Sequence, residues 1–244
     1  MTAPLYIGAG KSILRHGGAR QKRSSAHLTA SQVRGLWSAG LHALALQRPL
    51  TRFVTVHWAS FGLGDSEAMA ATSRLLTYWR DWLRDRGVPW AVVWVRENDN
   101  GDSSKGSHLH VLVHVPVNAQ LSFSRFTQSA SVRAAQAAKR ISGAVRSRAV
   151  GSIGMETRSP ASYRANLARA LRYLSKGMGQ SSVPLVIHYT ECLAPETVFE
   201  LPSSELGGVV IGKRCGWSKS LTPSGKRSTS EHSNTGVDTW RTHH

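Results

Sequence analysis

Residues 108–115 read HLHVLVHV and are closed by Pro116. Apart from its histidines the run is apolar and rich in β-branched valine, which is strand chemistry. Strand side chains alternate between faces, so His108 and His110 project to one side while Leu109 and Val111 point into a core. Residues 90–97 (WAVVWVRE) read as a second strand, and the intervening NDNGDSSKGS is rich in turn residues. The two strands and that loop therefore predict an antiparallel hairpin. Upstream, residues 53–58 (FVTVHW) predict another strand, broken by Gly62 and Gly64.

Helices are predicted around these strands. One runs over about 29–47, with Thr29 or Ser31 as cap and Val33, Leu36, Trp37, Leu41 and Leu44 on one face. A longer one runs over 65–86, capped by Asp65 or Ser66 and stopped by Gly87 and Pro89. Residues 122–142 read as an Ala-rich helix and 151–157 as a short strand. Ser159 and Pro160 supply a cap and a first-turn proline for a helix to about Met178. Residues 183–189 read as one more strand. This order predicts an α+β fold, a central antiparallel sheet with helices packed on one side. The organisation follows: a basic N-terminal arm and helix over 1–50, a main domain over 51–190, a C-terminal extension over 191–217 and a disordered tail over 218–244.

Two imidazoles on one pleated face are placed to share a divalent metal, which needs at least a third ligand. Glu97, at the end of the neighbouring strand, is the first candidate, and His57 is the reserve. A carboxylate with two imidazoles suits magnesium or manganese with positions open to a phosphate oxygen. His114 lies about 13 Å further along an extended strand and reads as structural.

The stretch ASYRANLARALRYLSKGMG carries two tyrosines. At helical spacing Leu167, Leu171, Leu174 and Met178 form an apolar stripe, and Tyr163 falls near it as a packing residue. Tyr173 and Lys176 share another face with Arg169. Tyr173 is then a phenol beside cations, suited to nucleophilic attack on an approaching phosphate.

Charge points the same way. Lys plus Arg number 31 against 14 acids, a net charge of +17. No acid precedes Asp65, and between Ser103 and Thr190 the single acid Glu156 faces twelve Lys and Arg. Such a field calls for an anionic partner, nucleic acid before membrane. Arg164, Arg169, Arg172 and Lys105 are the candidate DNA contacts. Two cysteines are too few for a disulfide framework, and no apolar run approaches membrane-span length. A cytoplasmic protein is expected.

The strand FVTVHW, the acidic strand end at Glu97, the motif HLHVLVHV and the helix carrying YLSK together resemble the HUH endonucleases. Within that family the likeness is to the single-tyrosine initiators of rolling-circle replication. HLH matches the histidine–hydrophobe–histidine motif, and Tyr173 to Lys176 matches Y-x-x-K. The resemblance covers about 50–180. It implies a ferredoxin-like or RRM-like sheet, a metal-aligned phosphate, and attack by Tyr173 to leave a 5′-phosphotyrosine and a free 3′-OH. It implies origin single-stranded DNA as substrate and, since no Walker A motif is present, a host helicase as helper. A relaxase or transposase with the same chemistry is the nearest alternative. A non-catalytic basic module stacking bases on Trp58, Trp90 and Trp94 is a further one.

Overall fold

The computed structural model describes residues 23–99, 106–196 and 208–222. In chain order its elements are β1 (Ser24–Ser25), α1 (Ala30–Ala45), β2 (Arg52–His57), α2 (Asp65–Arg84), β3 (Val92–Asp99), β4 (Gly106–Val113) and α3 (Gln120–Ala135). Then follow β5 (Val145–Ala149), α4 (Met155–Arg158), α5 (Pro160–Leu174), α6 (Val183–Leu193), β6 (Val210–Ile211) and β7 (Cys215–Trp217). The fold is α+β, as expected. Five strands form one antiparallel sheet in the order β5-β2-β4-β3-β7, and β1 pairs with β6 in a separate ribbon.

The segment β2-α2-β3-β4-α3-β5 is a ferredoxin-like βαββαβ unit. Its two helices lie on one face, where Leu75, Trp79 and Leu83 of α2 and Phe123 of α3 meet Val54, Val56, Leu109 and Val111. The expectation of helices on one side only is corrected here. The other face packs Phe53, Val93, Val95 and Leu112 against Leu36 of α1, Leu167 and Leu171 of α5 and Val186 of α6. The reason is in the strands themselves. Their apolar residues fall on both parities, so both faces must leave water, at about 1.5–3 kcal/mol of stabilisation for each large side chain buried. Helix α1 reaches α5 closely because residue 40 is glycine, where a Cβ would fall 2.7 Å from a Leu171 methyl.

Several local expectations change. Residues 183–189 are helical: Pro184 stands in the first turn of α6, and Val186, Thr190 and Leu193 recur at helical spacing on its buried side. Residues 151–157 are not a strand, because Gly151 and Gly154 take positive φ and Met155–Arg158 is helical. The strand is upstream, in VRSRA at Val145–Ala149. The Ala-rich helix stops at Ala135, with Gln136 left-handed at its end. The α5 helix ends at Leu174, four residues before Met178. Residue 64 caps α2, and Asp65 is its first helical residue.

The boundaries shift as well. The N-terminal helix belongs to the core, and its Thr29 and Gln32 form a capping box. The extension over 191–217 supplies the sheet's edge strand β7, which pairs with β3. Leu221, inside the stretch read as tail, is fully buried. Most of the expected basic arm and the tail beyond Thr222 lie outside the described residues. Among the described residues no helix is long and apolar enough to cross a membrane.

Candidate metal and tyrosine site

The hairpin register builds the site. Glu97 stands directly opposite His108 across β3 and β4, although eleven residues separate them in sequence. On the other side of β4, β2 sets Thr55 opposite His110 and His57 opposite His108. Glu97, His108 and His110 are all buried, and one ligand atom from each lies within 4.8 Å of the others. This group of three could hold a metal ion.

One carboxylate oxygen collects the contacts. Glu97 Oε2 lies 2.8 Å from His108 Nε2, 3.4 Å from His110 Nε2 and 3.0 Å from Lys176 Nζ. Glu97 Oε1 and His110 Nε2 are buried without a hydrogen-bond partner. Leaving such atoms unpaired costs on the order of 1–3 kcal/mol each. The outer nitrogens of the rings are held. His108 Nδ1 is 2.9 Å from the Gly106 carbonyl, which can only accept, so Nδ1 carries the proton. His110 Nδ1 is 3.0 Å from Thr55 Oγ1, which can accept in the same way. With Nδ1 so engaged, each imidazole in its neutral form has Nε2 on the side of Glu97 available as a metal ligand. Rings oriented through the far nitrogen are the usual support of histidine metal ligands.

The local electrostatics agree. Burial alone would raise the Glu97 carboxyl, but the His108 and His110 ring nitrogens close to it and the Lys176 charge hold it well below the carboxylate range. Burial pushes the His110 imidazole down to about 4 against the pull of Glu97, which keeps it in the neutral, metal-binding form near neutral pH. Burial also opposes the Lys176 charge, yet the Glu97 carboxylate more than offsets it and raises the ammonium's pKa.

Helix α5 delivers the tyrosine. Its stripe of Leu167, Leu171 and Leu174 is buried, and its C-terminal end is fastened by Trp37 Nε1 donating to Ser175 Oγ and Leu28 N–H donating to the Gly177 carbonyl. Tyr173 stays 41% exposed, so its side chain is not sealed in the core. Its ring meets His110 edge-on with centroids 5.0 Å apart and Phe53 at 5.8 Å. Lys176, in the turn after α5, places Nζ 3.5 Å from the Tyr173 hydroxyl and 4.6 Å from its ring centre. Lys176 thus links the tyrosine to Glu97.

The structure brings together Glu97, His108, His110, Tyr173 and Lys176. Other candidates fall elsewhere. His57 stacks on His108 at 5.6 Å and stands outside the three-residue group. His114 binds the Pro49 carbonyl through Nδ1, a structural role, and Tyr163 is buried with its hydroxyl donating to the Leu50 carbonyl. Arg169 lines a groove beside Tyr173, whereas Arg164 lines a different one with Leu193 and Glu196. Arg172 is half-buried and follows α5's turn away from Tyr173. Lys105 lies outside the described residues. Trp58 and Trp94 are core residues of the α2–α3 face, and Trp90 packs partly against it, so none forms an open stacking platform. Sequence reading missed Phe53, Thr55 and the edge-strand pair Arg146 and Arg148. The signal was available in VRSRA, whose arginines alternate as strand residues do.

The chain matches no family model, no curated protein and no solved structure.

Proposed function

We propose that the protein is a metal-dependent endonuclease of the HUH type that nicks and rejoins single-stranded DNA to start rolling-circle replication of a plasmid or phage. One observation carries this reading: a carboxylate and two imidazoles converge under an exposed tyrosine that shares a lysine with that carboxylate. Glu97, His108 and His110 are hard and borderline donors and would hold magnesium or manganese, which supplies Lewis-acid polarisation of a phosphate oxygen.

The chain's own residues do the rest. Tyr173 Oη bonds to phosphorus while the bond from phosphorus to the 3′ oxygen breaks. The hydroxyl proton leaves to solvent, and the departing 3′ oxygen takes one up. The Lys176 ammonium, beside the reacting oxygen, offsets the charge that grows on the phosphoryl group. Attack by the new 3′-OH on the phosphotyrosine runs the same exchange backwards and rejoins the strand. Base-paired DNA would have to be opened first, and a host helicase would serve that step. The cytoplasm is the corresponding compartment. A relaxase or transposase would use the same atoms, and the substrate alone separates these cases.

The test uses labelled single-stranded oligonucleotides tiled across the DNA that encodes the protein, with manganese. A covalent protein–DNA adduct is expected, and Tyr173→Phe should remove it, at least about a thousandfold, while DNA binding persists. An adduct that forms normally with Tyr173→Phe would overturn the assignment.

A further inference from the structure

We propose that the groove between β5 and α5 is a phosphate-binding subsite that holds the single strand next to the scissile position, with Arg148 and Arg169 as its anion contacts. The proposal rests on the nickase reading for the identity of the strand.

The groove encloses about 500 Å³ beside Tyr173, within the range of roughly 300–1,000 Å³ that small ligands occupy. Phe53, Arg148, Gly151, Asn166, Arg169 and Tyr173 are among its lining residues, none of which is acidic. Register explains the arginines. Arg148 pairs with Phe53 and Arg146 with Thr55, so both project on the face that carries His110, while Val145 and Ser147 face the other way. Both arginines are exposed.

Arg148 is held in place, with its guanidinium 5.0 Å from the Phe53 ring centre. Phe53 in turn touches the rings of His110 and Tyr173. On the opposite wall Arg169 Nη1 donates to Asn166 Oδ1 at 2.9 Å, one helical turn before Tyr173. Gly151 shapes the floor. Its φ is +83°, and a Cβ there would fall 2.4 Å from Met155 Sδ. A strand leaving Tyr173 along this groove meets two fixed guanidiniums and, among the described residues that line it, no carboxylate. Arginines on an edge strand can also simply discourage edge-to-edge pairing. That role predicts no effect on DNA binding, and so the two separate by experiment.

The experiment measures binding of a fluorescein-labelled oligothymidine of about 20 nucleotides, longer than one binding site, by anisotropy without metal over a salt series. The Arg148→Ala, Arg169→Ala double variant should bind several-fold more weakly, with the slope of log K against log salt reduced by about 1.4, two phosphates at roughly 0.7 each. An Arg84→Ala, Arg86→Ala variant removes equal charge from the far face and should bind like wild type. Unchanged affinity and slope in the groove variant, or an equal loss in the far-face variant, would sink the subsite. The nickase reading stands or falls separately. Wild-type protein that binds through the groove but forms no adduct with manganese would sink the nickase alone. Full-rate adduct formation without both arginines would sink the groove alone.

Discussion

Arg96 and Glu97 are neighbours in β3, and Ser107 and His108 are neighbours in β4, so strand alternation sets two buried polar clusters back to back on one sheet. On one face the carboxylate is Asp65. Its Oδ1 pairs with Arg96 Nη2 at 2.5 Å and accepts from Ser107 Oγ at 2.9 Å, and its Oδ2 accepts from the Ile211 N–H. Arg96, fully buried, also donates to the Ile211 and Asp65 carbonyls. Both oxygens are used, and the contacts join α2, β3, β4 and β6. On the other face the carboxylate is Glu97, which crowds three nitrogens onto one oxygen and leaves the second bare. A carboxylate with both oxygens engaged fastens elements together. A carboxylate with a buried oxygen unspent, facing two directed imidazoles, has capacity left for a ligand.

The largest effect that tests this contrast is on the fastening side. Asp65→Asn leaves Arg96 buried without its counter-charge and should cost about 3–5 kcal/mol of stability, read by urea denaturation. The next is acid sensitivity on the binding side. His110 has an ordinary value of 6.5 and is held at about 4 in the fold. As pH falls between those values the unfolded chain binds a proton that the native chain refuses, so stability drops with pH, by about 3 kcal/mol across the window. The depressed Glu97 carboxyl acts in the same direction at lower pH still. Urea midpoints of metal-free protein at a series of pH values should show the slope, and His110→Leu should flatten it. An unchanged slope in that variant would remove His110 as its source.

How far the sequence alone reaches follows from the same chemistry. The strands at the centre of the sheet were legible because β-branched runs ended at Gly and Pro, and the site was legible because strand alternation and a hairpin register are local rules. Glu97 and His108, eleven residues apart, meet through that register alone. Edge strand β5 was missed because, with one large apolar residue among its five, its alternation is carried by exposed arginines, and β7 because CGW has no strand signature until β3 is beside it. Helix α6 was misread because VPLVIHY is rich in β-branched residues, while the proline and the burial pattern decide the other way. Which helix covers which face is a tertiary outcome, and so the packing of α1, α5 and α6 on the face that carries the histidines was not visible. The Arg96–Asp65 pair was hidden too, since one residue looked like part of a strand and the other like a helix cap.

The smallest expected effect is the sharpest for the contrast. Glu97→Gln removes the charge that would balance a divalent cation but keeps the side chain's shape. Lys176 loses its counter-charge but is part exposed, so stability without metal should fall by only about 1–2 kcal/mol, less than for Asp65→Asn. At a manganese concentration of about 100 times the wild-type dissociation constant, bound metal stabilises the native chain by roughly 2.7 kcal/mol. If Glu97 is a ligand, affinity should fall about 10–100-fold and this gain should shrink to roughly 0.4–1.4 kcal/mol. Thermal melts with and without manganese read both quantities at once. A conservative change at the fastening carboxylate should lower the metal-free melt further, whereas Glu97→Gln should also lower the metal-dependent increment. If Glu97→Gln instead collapses the metal-free fold and leaves the increment intact, Glu97 belongs with Asp65 as a fastener. The cation would then have to be sought at the imidazoles without it.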